Sequence, residues 1–436
     1  MNESQTATQT AGRSHERKIL LTTFGSLGDL YPYIALARGL QSRGHSVVLA
    51  STDRYRERVE SAGLKFHPLR PAGPDLEQER ELMCRVMDAR RGSEYVIREL
   101  MMSVLADTYA DTLAAAEGAD LLVSHVLTFA TRLVAEKKQI PWVSPFLQPL
   151  GFFSAYDPPA LPLAPFLAKL RFFGPGFHRL LFRLADRKCR PWGAPWQRLR
   201  AEIGLPPTSE NPVMDGNFSP HLVLGLFSEL IAARQPDWPR ATVIAGFPRP
   251  DLGGSTTLPA ELERFLDAGP APIVFTLGSS GLMSAGTFFQ ESALAAAQLG
   301  RRAVLVVGAQ PENRPTSMSA DCLCVEYAPF AGLFPRAAAV VHAGGIGTTA
   351  LVMRSGRPSL VMPLAHDQFD NAARAERLGV SLTISQRRYT ARRAADRLRL
   401  LLDNPQYAQR AAVVQQAVLP EDGVKSACLA MEQLLS

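Results

Sequence analysis

The sequence predicts an α/β protein built of two doubly wound domains facing across a cleft. Three observations carry this reading. Short apolar runs alternate with helical patterns through most of the chain, the mark of parallel strands covered by helices on both faces. The alternation comes as two similar series, separated by a proline-rich stretch at 234–259. The length of 436 residues exceeds what one hydrophobic core serves.

The first series opens with KILLTTF at 18–24, a buried-strand run that leads into glycines. Residues 32–43 follow with Ile34, Leu36, Ala37 and Leu40 at helical spacing; Gly44 stops the helix and HSVVLAS at 45–51 is the next strand. A helix is expected over 106–117, a strand over 120–125, a helix to Lys138 and a strand over 140–144. Residues 147–196 break the pattern with a long segment rich in Pro, Phe and Leu. This segment reads as a helical flap on the core, as the wall of an apolar pocket, or as a basic amphipathic element (Lys169, Arg171, Arg179, Arg183) at a membrane surface.

These patterns divide the chain into a polar arm at 1–17, expected to be disordered, a first domain at 18–233 and a linker at 234–259. Within the linker a strand at 241–247 precedes the loose part. A second domain at 260–420 contains six apolar runs: PIVFTLGSS, RRAVLVVG, CLCVEYAP, AAVVHAGG, PSLVMPL and VSLTIS. A last helix at 421–436 is expected to pack back on the first domain.

At 46% hydrophobic and 20% charged, the composition is that of an ordinary globular protein. The net charge of +6 comes from scattered arginines, so no nucleic-acid partner is expected. Five cysteines, an odd number at spacings that fit no zinc site, point to free thiols in a reducing compartment. The arm lacks the apolar core of a signal peptide, and no run reaches the ~20 apolar residues of a membrane span. A cytoplasmic protein is expected, with peripheral contact to the inner face of the membrane left open by the apolar basic segment.

The stretch HAGGIGTT at 342–349 is a strand, a glycine turn and a helix start. Such a turn aims backbone N–H groups and the positive end of a helix at one point, and glycines let an anion approach closely. Thr348 adds a hydroxyl donor and His342 a ring donor. The alternative is a tight turn that binds nothing. After the next strand, Asp367, Gln368 and Asn371 open a helix; an acid beside an amide suits a polyhydroxylated ligand, although Asp367 also reads as a helix cap.

A phosphate cradle beside a hydroxyl reader suits a sugar attached to a phosphate. The run YAPF at 327–330, then HAGG, then HDQFDNA resembles the donor signature of family 1 glycosyltransferases, whose fold is GT-B: two Rossmann-like domains. The resemblance spans nearly the whole chain. It implies that Tyr327, Ala328 and Pro329 hold the nucleobase. His342, Gly344, Gly345, Gly347 and Thr348 would hold the diphosphate, and Asp367 and Gln368 the donor sugar. Ser279, in the GSS that ends PIVFTLG, would be a second contact to phosphate or ribose. Phe146, Phe152 and Phe153 would contact a lipophilic acceptor. No cofactor is implied beyond the nucleotide diphosphate sugar as co-substrate, and no metal. Plant members carry a Glu that grips the ribose where this chain has Ala350, which tilts the reading toward a 2′-deoxyribose, thymidine diphosphate donor.

GSLGDLYP at 25–32 ends the first strand. It lacks G-x-G-x-x-G, and Asp29 would repel a pyrophosphate there, so a nicotinamide cofactor is disfavoured. The same run matches the GSxGDxxP of bacterial glycosyltransferases that modify glycopeptides, which implies Asp29 as the base that deprotonates the acceptor hydroxyl. Asp29 also reads as a helix cap. His125, at the end of DLLVSH, is the other candidate base, or the partner of Asp29 in a dyad. Within the family, RQPDWP, AGFP and AHDQFDNA resemble most the bacterial rhamnosyltransferases of rhamnolipid synthesis. That implies dTDP-L-rhamnose and a hydroxy-fatty-acid acceptor. Sterol, macrolide and glycopeptide glycosyltransferases share most of these motifs. A non-catalytic sugar-nucleotide-binding partner of another transferase is the alternative from outside the class.

Overall fold

The computed structural model describes residues 16–72, 76–249 and 257–436. The arm expected at 1–17, except for its last two residues, and the loose part of the expected linker lie outside the described residues.

Among those residues the chain forms two parallel sheets. The first holds β1 (Lys18–Thr22), β2 (Ser46–Ser51), β3 (Lys65–Pro68), β4 (Leu121–Val123), β5 (Trp142–Phe146), β6 (Leu222–Gly225) and β7 (Thr242–Ile244), in the order β3-β2-β1-β4-β5-β6-β7. The second holds β8 (Ile273–Thr276), β9 (Ala303–Val306), β10 (Cys322–Val325), β11 (Ala339–His342), β12 (Ser359–Val361) and β13 (Ser381–Thr383), in the order β10-β9-β8-β11-β12-β13. The inner strands are uninterrupted apolar runs because helices cover both faces: Ile19, Leu20 and Leu21, like Val340 and Val341, are fully buried. Each such side chain contributes ~1.5–3 kcal/mol relative to its exposed state.

In both sheets the strand order reverses beside the first strand, between β1 and β4 and between β8 and β11. In an open α/β sheet the crevice beyond such a reversal is where ligands bind. The loops leaving β1, β4, β8 and β11 are those that carry Asp29, His125, Ser279 and the glycine turn.

Two elements depart from the sequence reading. The first helix runs over Leu27–Gln41, five residues ahead of the expected start at Pro32. Its N-cap Ser26 and Asp29 form a capping box, which stabilises the first turn upstream of the proline. The strand assigned to the linker is β7, paired with β6 at the edge of the first sheet, while Trp238 and Phe247 are buried in the adjoining core. The first sheet therefore extends past residue 233; the strand expected at 241–247 is present, but the prolines around it hid its pairing with the sheet. The segment after β5 contains 3-10 turns and the helices Gly174–Cys189 and Ala194–Glu202.

Several segments tie the two halves together. Helix Gly423–Leu435 lies on helix Leu27–Gln41, where Glu432 pairs with Arg43 at 2.5 Å and with His45 at 3.2 Å. Met83, Val86 and Met87, which precede β4, pack into the core of the second domain. Gly39 permits the contact of the two helices, since a Cβ there would lie 2.5 Å from Val424 Cγ1 and 3.0 Å from Cys428 Sγ. Gly39→Leu should therefore lower the thermal unfolding midpoint by the equivalent of about 1–3 kcal/mol. A midpoint equal to or above that of the parent would contradict this close packing.

Candidate active site

The first half of the site is built where β1 and β4 run side by side, with Leu21 level with Val123. Beyond β1, Gly25 takes a φ of +123°, and a Cβ there would lie 2.3 Å from Asp29 Oδ2, so only glycine leaves room for the carboxylate. Asp29 Oδ2 accepts from the Ser26 N–H at 2.8 Å and from the Ser26 hydroxyl at 3.1 Å. Its Oδ1 lies 3.5 Å from His125 Nε2. The Leu127 N–H donates to His125 Nδ1 at 3.4 Å, which leaves the Nε2–H as the ring donor that faces the carboxylate. Tyr33 meets the imidazole edge-on at 5.5 Å and donates its hydroxyl to Ser124 O at 2.5 Å, fixing the ring from behind.

Exposure separates the two candidates. The Asp29 side chain is 31% exposed and that of His125 is 2% exposed. Asp29 therefore faces the cleft and His125 stands behind it. Burial pushes the Asp29 carboxyl up, but the hydrogen bond and charge of His125 and the bonds from Ser26 outweigh it. The group sits below its ordinary value and stays ionised at neutral pH. Cap and dyad are both present, since one carboxylate oxygen serves each.

The second half is built where β8 and β11 run side by side. Past β11, Gly344 takes a φ of +87°, and a Cβ there would meet Val361 at 2.8 Å and Gln368 O at 3.1 Å. Helix Ile346–Ser355 then starts at Gly345 with no side-chain cap. Its first N–H groups have no intrahelical acceptor, and a Cβ at Gly345 or Gly347 would meet nothing within 4 Å. The result is a ring of backbone donors at a positive helix end beside open space. The turn after β8 closes on it: a Cβ at Gly278 would lie 3.5 Å from Thr348 Oγ1, and Ser279 is exposed next to it. His342 is 1% exposed, and its Nδ1 accepts from the Gly344 N–H at 3.1 Å. Burial pushes its pKa down to about 4. The ring is neutral at pH 7, and its remaining proton is on Nε2.

Gln368 Oε1 accepts from the Leu364 and Ala365 N–H groups at 2.8 and 3.2 Å, which leaves its amide N–H₂ as the group that can donate to a ligand. Asp367 occupies the N-cap position of helix Gln368–Arg377 but caps nothing. Instead its Oδ2 accepts from Asn371 Nδ2 at 2.6 Å, and the same amide donates to Gly344 O at 2.9 Å. This ties the Asp-Gln pair to the glycine turn. His366, just before the pair, holds a φ of +52° and bonds Ser93 of the first domain at 3.0 Å, a strained backbone of the kind found at ligand sites.

The two halves face each other. Helix Leu27–Gln41 packs on the turn Gly278–Gly281, and Ile346 packs against the core of the first domain. Asp367 is raised to about 7 by burial first, against the Asn371 bond, and further by the negative charge of Asp29. The nucleobase candidates divide: Tyr327 is 73% exposed, while Ala328 is buried in the core of the second domain. Phe146 and Phe152, expected as acceptor contacts, are core residues instead. Phe152 stacks on Trp238 at 4.0 Å, and Phe146 packs on Phe152 at 4.9 Å and on Phe218 at 5.2 Å. The cause is local: Gly151 lies against the Phe146 ring and lets the following turn fold over it. Phe153 is half-buried, edge-on to Phe182 at 6.1 Å. Sequence reasoning missed Ser93 and Asp157, which no motif marks; Ser26 was legible as the first residue of a Ser-x-x-Asp capping box. Among the described residues no group of three or more His, Cys, Asp or Glu is placed to hold a metal.

This architecture is that of the GT-B glycosyltransferases. Residues 19–149 match the glycosyltransferase family 28 N-terminal domain, and residues 293–425 match the erythromycin biosynthesis protein CIII-like C-terminal domain. The chain is 34% identical over 435 residues to O-mycaminosyltylonolide 6-deoxyallosyltransferase of Streptomyces fradiae, covering 95% of this chain and 97% of that protein. It is 31% identical to glycosyltransferase GtfE of Amycolatopsis orientalis, covering 84% of this chain and 85% of that one. The crystal structure of glycosyltransferase VinC in complex with dTDP superposes with a TM-score of 0.65 at 22% identity, over 96% of this chain and 98% of that one. The chain belongs to the family 1 glycosyltransferases and is a transferase that uses a nucleotide sugar.

A raised acid binds its proton more tightly folded than unfolded. Its contribution to stability is present below its ordinary value of 3.8 and is lost as pH rises through about 7. Asp367→Asn, neutral at every pH, should therefore gain stability over the parent as pH rises from 4 to 7, reaching on the order of 1 kcal/mol or more at pH 8, while turnover falls. Urea melts across that range measure it; a difference that does not change with pH would contradict the burial of this carboxyl.

Proposed function

We propose that the protein is an inverting, metal-independent hexosyltransferase that moves a rhamnosyl group from dTDP-L-rhamnose to a hydroxyl of a lipophilic acceptor. The observation that carries this reading is the opposition of two unlike helix starts: one closed by Asp29, the other open at Gly345. The donor's diphosphate lies on the amides of Ile346 to Thr348, with the His342 Nε2–H and the hydroxyls of Thr348 and Ser279 as further donors. Its base rests on Tyr327. The sugar hydroxyls are read by Asp367 and by the amide of Gln368.

The acceptor oxygen attacks the anomeric carbon from the side of Asp29. As that C–O bond forms, the hydroxyl becomes strongly acidic and its proton passes to the Asp29 carboxylate. The opposite C–O bond breaks, and the electron pair leaves with the nucleoside diphosphate. The added charge falls on preorganised amides at a helix start, where it is stabilised with little reorganisation. A single displacement inverts the anomeric centre. His125 holds the carboxylate in position and partly balances its charge, and the low pKa of Asp29 keeps it ionised and ready to accept.

Two observations support the finer assignments. Ala350 is buried in an apolar cluster, so no carboxylate at that position grips a 2′-hydroxyl, which favours a deoxyribose donor. Phe166, Phe172 and Phe173 are exposed on the segment that also carries the exposed Arg183 and Arg187, a composition suited to a lipophilic acceptor and to peripheral contact with an anionic membrane. A UDP-glucose-dependent enzyme acting on a sterol or macrolide is the second reading; the resemblance of the motifs to both groups supports it.

A thermal-shift screen tests the reading: dTDP should raise the midpoint more than UDP, because a ligand that binds only the folded state stabilises it. Asp29→Asn should cut turnover by ~10²-fold or more with dTDP affinity nearly intact. Unchanged turnover in that variant would move the base elsewhere, to His125 first.

A further inference from the structure

Helix Gln368–Arg377, which begins with the sugar-reading pair, carries a second set of polar groups further along. Arg374 is buried there, its side chain only 2% exposed. Its Nε donates to Asp370 Oδ2 at 2.6 Å and its Nη1 to Ile231 O at 3.2 Å. The same Nη1 donates to Oδ2 of Asp157, a residue of the segment that follows β5 in the first domain. Asp157 Oδ1 takes Arg377 Nη1 at 3.1 Å and Arg171 Nη2 at 2.5 Å. The backbone N–H of Ala160 donates to Asp370 Oδ1 at 2.9 Å. All four carboxylate oxygens are thus bonded, and each aspartate joins the two domains. The segment around Asp157 is itself fixed: the Ser154 hydroxyl and the Ala155 N–H donate to the Asp237 carboxylate at 2.6 and 2.7 Å.

We infer that Asp157, Asp370, Arg374 and Arg377 form a positioning network that sets the register of the acceptor-side segment against the helix that reads the donor sugar. The inference rests on the functional reading above. Adhesion alone is a poor reason for the cluster, since apolar side chains of similar volume generally stabilise an interface at least as well as a buried ion pair. Direction is what charge-assisted bonds to a planar guanidinium add. The placement gives that direction a use. One helix bears Gln368 at its start, then Asn371, which holds the glycine turn, and then Arg374, which holds the first domain. A shift of the segment relative to this helix moves the acceptor relative to the anomeric carbon, and a misplacement of about 1 Å can cost ~10²-fold in rate. The exposed Arg80–Glu312 pair at 3.0 Å also links the domains, but it lacks this bonding and burial.

The test is steady-state kinetics with dTDP-L-rhamnose and a hydroxy-fatty-acid acceptor, together with dTDP binding by calorimetry, on Asp157→Asn and Arg377→Gln. Asp157→Asn should raise the acceptor KM or lower kcat by about tenfold, leave the dTDP Kd within about twofold, and lower the ratio of sugar transfer to donor hydrolysis. Arg377 is exposed at the rim, so Arg377→Gln keeps the fold and should shift the same quantities in the same direction by less; it decides the matter if Asp157→Asn does not fold. Parent-like KM, kcat and transfer ratio in the folded variants would overturn the network. So would an equal loss of dTDP affinity, which marks general adhesion. A parent protein that turns over no nucleotide sugar would count against the functional reading itself.

Discussion

The structure depends on an uncapped helix. Helices that start beyond the reversal point of a parallel sheet present several N–H groups with no intrahelical partner. At Leu27–Gln41 the chain satisfies its own start with Ser26 and Asp29. At Ile346–Ser355 it places Gly345 and supplies no cap. The same feature of the fold is thus used in two ways: one end carries a fixed negative charge and the other is open to a negative ligand. Their opposition across the cleft makes a polar axis, along which charge would move in the proposed displacement. The contact of helix Leu27–Gln41 with the turn Gly278–Gly281, and of Ile346 with the core of the first domain, brings the two halves together.

The order of strands around each reversal places the chemistry. Because β4 lies beside β1, His125 comes to Asp29 although 96 residues separate them. Because β8 lies beside β11, the Gly278 turn closes on Thr348. Positioning is then refined by side chains buried behind the site. Tyr33 fixes His125, Asn371 joins Asp367 to the glycine turn, and Gly25 leaves room for the carboxylate.

Much of this was legible in the sequence, and the reasons are local. Buried parallel strands are apolar runs, so all six strands of the second domain could be read from composition. The glycine turn was visible because a left-handed backbone and a close approach of chain to chain, both found at Gly344, call for glycine. Contacts set by tertiary packing were not legible. Phe146 and Phe152 look like pocket residues in a sequence, but Gly151 and Trp238 make them core. β7 is three residues long and surrounded by prolines, so its pairing cannot be told from a linker. Asp157 and Arg374 are 217 residues apart and belong to no motif. Which of Asp29 and His125 faces the cleft is set by packing, which residue types alone do not encode.

The central claim is that the leaving diphosphate lies against the amides of the glycine turn, opposite Asp29. A crystal structure with bound dTDP tests it most directly. The account predicts terminal phosphate oxygens at about 3 Å from the backbone nitrogens of Ile346 to Thr348, with the Asp29 carboxylate across an open gap on the other side. A diphosphate bound elsewhere, or one shielded from Asp29 by protein side chains, would contradict it.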